Sequence, residues 1–312
     1  MRLIIIRLCL VFLVYPQLVK SQVIDSFRIS PGVKITLDRP ERLHLTGPVE
    51  LILYALPNGN STEWTMGKQP APGDDWHYDI QHIRAQTAFI RKQSRGKNYV
   101  VAYLENDLKS WPAWKRKNPD YSTIIPHIVD TLRSLFHHRK VNVHLNGHSG
   151  GGSFIFGYME GVIKIPRFVT RISFLDSDYG YTTTTYGTCL LKWLLNGKKA
   201  FLTVFAYNDA AALYQGKRVV SDTGGTWYRS HLMKQQLSGL WNFSQTITDS
   251  LIIYKESTRR IQFLFKPNPD SGIYHTQQVE LNGFIHSVFA GTRREGKRYE
   301  YYGRRAYGEY IE

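Results

Sequence analysis

Short apolar, β-branched runs recur along the chain at 49–56, 99–104, 141–145, 170–175, 201–205 and 261–265. Each has the length of a buried strand. The segments between them, at 77–94, 122–137, 152–163, about 187–196, 225–239 and 276–289, space their apolar residues as helices do. Strands alternating with helices predict an α/β fold, with a mostly parallel central sheet and helices on both faces.

Upstream, residues 25–45 read as two strands, SFRIS and VKITL, broken by Pro31 and Gly32, with a third strand at RLHL. These predict N-terminal antiparallel strands joined to the parallel sheet. Pro and Gly do not gather into a linker, so residues 22–291 read as one domain. The remainder, 292–312, is basic and rich in tyrosine without clear periodicity. It reads as a packed extension, a substrate-facing strip or a frayed tail.

The first 21 residues change the picture of location. Arg2 and Arg7 precede an apolar stretch, and Val19 and Ser21 form a small-residue cleavage pattern before Gln22. The stretch is short for a bilayer span, which needs about 20 apolar residues. A signal peptide over 1–21 is expected, and with it a secreted or periplasmic protein. No later stretch reads as a membrane helix. Cys9 falls inside the leader, which leaves Cys189 without a partner and the mature chain without an internal disulfide. Losing Arg2, Arg7 and Lys20 leaves 37 basic against 25 acidic residues. Such a surface attracts anionic partners. No nucleic-acid motif accompanies the charge, so a nucleic-acid partner is not expected. Oligomeric state is not legible.

Candidate chemistry centres on Gly147-His148-Ser149-Gly150-Gly151. A strand precedes this run and an amphipathic helix follows, the context that a G-x-S-x-G turn requires. Small neighbours let strand and helix close on a serine held at a strained backbone position. No lysine stands where a phosphate-binding loop would need one. With this turn and the order of elements from 49 to 291, the chain resembles the α/β-hydrolase superfamily, in its secreted serine esterase and lipase-like branch.

That resemblance implies a nucleophile, an acid and a histidine in that chain order, with Ser149 as nucleophile. The acid is expected at Asp209, just past the strand at 201–207. Asp176 and Asp178, after the preceding strand, are the rivals. The histidine is expected at His275, after the last strand and ahead of Thr276 as a helix cap; His286, inside the predicted helix, is the alternative. The resemblance also implies an oxyanion hole from the Gly150 N–H and a donor in the loop Asn58, Gly59, Asn60. Trp111 and Trp114, flanked by Lys115, Arg116 and Lys117, together with Trp227, are candidates for substrate binding.

No His, Cys or carboxylate group has metal-ligand spacing, and no dinucleotide fingerprint occurs, so neither metal nor cofactor is expected. The implied activity is a serine hydrolase cleaving a carboxylic ester, with an anionic or carbohydrate-linked substrate suggested by the charge. An amidase or peptidase using the same triad, or a non-catalytic secreted carbohydrate-binding protein on the same fold, are the alternatives.

Overall fold

The computed structural model describes residues 22–312; the expected signal peptide lies outside the described residues. Ten strands form one sheet, in the order β1 (Gln22–Ile29), β2 (Val33–Pro40), β4 (Asn98–Asn106), β3 (Val49–Ala55), β5 (Val141–His148), β6 (Val169–Leu175), β7 (Phe201–Tyr207), β12 (Ile261–Lys266), β11 (Ile252–Glu256), β10 (Phe243–Ile247). From β4 to β12 neighbouring strands are parallel. Antiparallel pairs flank this block on both sides, β1 and β2 at one edge, β11 and β10 at the other. A separate small hairpin joins β8 (Leu213–Tyr214) to β9 (Lys217–Arg218).

The central strands are apolar along their whole length because helices cover both faces. All seven residues of β3 are buried. On one face, the helices Tyr121–Ser134, Gly152–Glu160, Thr188–Asn196 and Thr226–Leu237 pack through Ile125, Phe154, Leu190 and Met233. On the other, Ile83–Gln93 and Gly283–Phe289 pack through Phe89 and Phe284. The C-terminal segment joins this second core. Tyr299, Tyr301 and Tyr307 are buried there, and Arg305 binds Asp79 and Glu280. Residues 292–312 are a packed extension of the domain, not a frayed tail.

Several local expectations are corrected. The segment Arg42 to Leu45 forms no strand, because β3 already pairs with β4 and β5, and β2 takes the outer side of β4. The helix expected at 77–94 breaks before Ile83, where His82 takes φ +45°. The one expected at 276–289 splits at Asn282, with φ +66°. Thr276 precedes the short helix Gln277–Glu280 but makes no side-chain cap. The hairpin of β10 and β11 was not anticipated.

Candidate active site at the carboxyl edge of the sheet

β5 ends at His148, and a tight turn opens at Ser149, which has φ +54°. This is the left-handed region that non-glycine residues seldom occupy. The turn is wedged between its neighbours. A Cβ on Gly151 would come within 2.1 Å of the Ala55 carbonyl oxygen at the end of β3. One on Gly152 would come within 1.7 Å of the Ser177 carbonyl oxygen after β6. Only hydrogen fits at either position, so the serine is raised at the edge while the backbone behind it packs tightly.

His275 arrives from the loop after β12. Its Nδ1 donates to Asp176 Oδ2 at 2.5 Å, and the Asp176 side chain has no exposure. Asp176 follows β6 directly and also adopts a left-handed backbone, φ +48°. The Thr226 hydroxyl donates to its other oxygen. His275 Nε2 has no hydrogen-bond partner among the described residues, and its side chain is 23% exposed. His148, the residue before Ser149, lies against the same ring, with centroids 4.5 Å apart. Its Nε2 donates to the His275 carbonyl at 3.2 Å. Burial pushes the His148 imidazole well below its usual pKa, and the neighbouring His275 adds to this. His148 is therefore a neutral strut that pins the His275 backbone beside the turn. Tyr179 and Tyr207 flank His275, with ring centroids 6.4 and 6.5 Å from it.

The hydrogen-bonded partner of His275 is thus Asp176, not the expected Asp209. Asp209 sits past β7 as anticipated, but its oxygens accept the backbone N–H groups of Thr226 at 2.7 Å and Trp227 at 3.3 Å. It serves the start of the helix Thr226–Leu237, where Gly225 has no side chain to cap with. Burial lifts its carboxyl to about 6, with the charge of Asp176 adding to the rise. Asp178 turns inward to accept from Ser230 Oγ at 2.9 Å, and burial drives its carboxyl well above the usual range. His286 is interior. Its ring nitrogens meet Gln262 and Tyr299 at 3.3 Å each, and burial lowers it to about 4.

The remaining candidates divide as sharply. Gly150 lies in the first turn after the strand, where a backbone N–H has no preceding carbonyl to bond. The Asn58 side-chain amide rests on it, its atoms 2.0 to 2.8 Å from where a Gly150 Cβ would stand. The N–H of Gly59 is committed to the Lys109 carbonyl at 2.7 Å, and that of Asn60 to the Pro57 carbonyl at 3.3 Å. With those two backbone N–H groups committed, the Asn58 side chain, resting on Gly150, is the loop's candidate donor beside the turn.

Trp111 and Trp114 line no surface. They are 1% and 2% exposed and pack edge to face at 5.3 Å. Their Nε1 groups donate to the carbonyls of Leu104 and Pro31. The helix Trp111–Lys117 buries both indoles and leaves its cations outside. Trp227 is half-buried against His231 and Phe265. No group of three or more His, Cys, Asp or Glu among the described residues is arranged to hold a metal ion.

No family model matches the chain, and no curated protein does. Solved structures do. The feruloyl esterase module from Clostridium thermocellum, complexed with sinapinate, is 9% identical, with a TM-score of 0.51 over 90% of each chain. A siderophore hydrolase from Aspergillus nidulans is 12% identical, with a TM-score of 0.47 over 88% of this chain and 96% of the other. An acetyl xylan esterase from Aspergillus awamori is 13% identical, with a TM-score of 0.44 over 80% and 92%. At such identities the likeness speaks for architecture alone: this chain has the α/β-hydrolase fold.

Proposed function

We infer that the chain is an exported serine hydrolase that cleaves a carboxylic ester through an acyl-enzyme on Ser149. One observation carries the reading. His275 is held by Asp176 through Nδ1, keeps Nε2 unpartnered, and lies beside the residue that presents Ser149 on a strained bend. A serine hydroxyl is a weak nucleophile until a base takes its proton, and the base needs an orienting acid.

In this reaction Ser149 Oγ attacks the acyl carbon as its proton passes to His275 Nε2. The negative oxygen that develops is met by the Gly150 N–H and by Asn58. Collapse expels the alcohol, protonated by His275, and water then releases the acid by the same steps in reverse. Ester rather than amide cleavage is chosen by analogy with the feruloyl esterase module, the likeness with the highest agreement reported above. The rings of Tyr179 and Tyr207 suit a planar or apolar acyl group near His275.

The test is labelling by a fluorophosphonate probe. Wild type is expected to label and Ser149→Ala to remain unlabelled while still folded. Turnover of p-nitrophenyl acetate against aminoacyl anilides then reads ester against amide preference. A folded wild type that takes up no probe overturns the proposal.

A further inference from the structure

All parallel strands run the same way, so the segments that lead into them lie along one edge of the sheet, opposite Ser149. These segments are 41–48, 94–97, 135–140, 161–168, 197–200 and 257–260, and Glu41 is the one acidic residue they contain. They carry exposed cations in register across the sheet. Arg95 and Lys97 precede β4, Lys140 precedes β5, Lys164 and Arg167 precede β6, and Lys198 and Lys199 precede β7. None of these seven forms an ion pair among the described residues. The nearby acids are already engaged: Glu50, which Lys97 also attracts, with His144 and Asn142, Asp130 with Arg133, Glu295 with Lys255, and Glu256 with Ser257 and Thr258. At one end of this edge a cavity is lined by Lys92, Arg95 and the cations of 293–298, with no carboxylate in its wall.

Aliphatic side chains project from the same edge. Leu45 ahead of β3 is 93% exposed, Ile163 ahead of β6 is 106% exposed, and Leu195 ahead of β7 is 60% exposed. An isolated exposed leucine is ordinary. Three at the same edge, Leu45 and Ile163 on loops and Leu195 in the last turn of the helix Thr188–Asn196, are a pattern. With neighbouring strands about 4.8 Å apart, the five steps from β4 to β12 make the face about 24 Å wide.

We propose that this edge docks the protein on an anionic lipid surface. Lipid headgroups satisfy the cations, and the acyl boundary takes up Leu45, Ile163 and Leu195, as in other peripheral membrane contacts. A dissolved polyanion would account for the charge but would leave Ile163 in water. Docked this way, the edge bearing Ser149 faces away from the bilayer, toward solutes. The docking does not depend on the proposed hydrolysis and is tested without it.

The experiment is sedimentation of the full chain with phosphatidylcholine vesicles, with and without about 30% phosphatidylserine, a membrane that carries the anionic surface potential. Each variant is compared with wild type, so that any contribution of residues 1–21 cancels. Wild type is expected to bind the anionic vesicles and to release as salt rises. Each cation near such a surface contributes about 1 kcal/mol, so reversing both in Lys198→Glu/Lys199→Glu should lower the partition at least about tenfold. Ile163→Ser with Leu45→Ser should lower it while leaving binding to heparin beads unchanged. Lys217→Glu, on the hairpin beyond β7, is expected to bind as wild type does. Equal loss in Lys217→Glu, equal binding to neutral vesicles by wild type and the Lys198/Lys199 variant, or binding to heparin but to neither vesicle would each overturn the proposal.

Discussion

Replacing Asp176 by asparagine keeps the shape of the side chain and removes its charge. In the native protein one Asp176 oxygen accepts the His275 Nδ1–H at 2.5 Å, and the carboxylate is shut away from solvent. If His275 takes the Ser149 proton, the ring gains a positive charge about 4 Å from the centre of that carboxylate. At an effective dielectric of about 20, the attraction is about 4 kcal/mol. Each 1.4 kcal/mol or so is tenfold in rate, so the loss is about a thousandfold. The amide can also turn its NH2 toward Nδ1, which favours the wrong imidazole tautomer, and the total in a comparable triad is about 10⁴. We therefore expect Asp176→Asn to lower kcat by about 10³- to 10⁴-fold, with KM changed less than about threefold, since the carboxylate touches His275 and not the substrate. The control is Asp209→Asn, which alters the start of the helix Thr226–Leu237 and touches no atom of His275. It should retain activity within about tenfold. Steady-state hydrolysis of an activated aryl ester, with circular dichroism to verify folding, reads both. Folded Asp176→Asn within tenfold of wild type, or Asp209→Asn equally impaired, refutes the assignment.

Other outcomes follow from the same geometry. Asn58→Ala should lower kcat by about 10²-fold at nearly constant KM, the effect of losing one oxyanion donor; Asn60→Ala, which removes only long 3.4 Å side-chain contacts to the Asn58 carbonyl and Gln81, should stay within about threefold of wild type. Trp111→Ala should cost about 3–5 kcal/mol in urea unfolding through the cavity it leaves, without raising KM. His286 titrates at about 4 in the fold, against 6.5 when exposed, so its neutral burial contributes stability above pH 6.5 that is lost as pH falls through 4. In His286→Gln, stability measured across that window should decline less steeply than in wild type, by about 3 kcal/mol in total. Turnover at neutral pH should persist, and its abolition in the folded variant would restore His286 as the base.

The parts of the fold legible in the sequence are those where burial acts on both faces. β3 to β7 and β12 announce themselves because nothing in them is allowed to be polar for long. The hairpin of β10 and β11 is hidden for the opposite reason: β10 is almost wholly exposed and shows no apolar run. Helix breaks at His82 and Asn282 were equally hidden, since both left-handed residues lie within otherwise helical spacing. Trp111 and Trp114 misled because their neighbours are Lys115, Arg116 and Lys117. Charge in adjacent positions on a helix says nothing about the opposite face, and Ser110 and Pro112 start that helix with the indoles turned inward.

The choice between Asp176 and Asp209 shows why spacing alone stops short of the site. Both acids follow a parallel strand, one strand apart, and both converge on Thr226. Three carboxyls, counting Asp178, lie within this buried cluster, and low-dielectric surroundings resist charging them all. The fold resolves the conflict by giving each acid a different partner. Asp178 is driven toward its neutral form against Ser230, and Asp209 is lifted to about 6 but met by two backbone N–H groups. Asp176 alone receives a side chain that can itself carry positive charge, because its left-handed backbone aims the carboxylate across the edge at the loop after β12. That direction goes with a single left-handed φ of +48° at the end of one buried strand, which no pattern of hydrophobicity singles out.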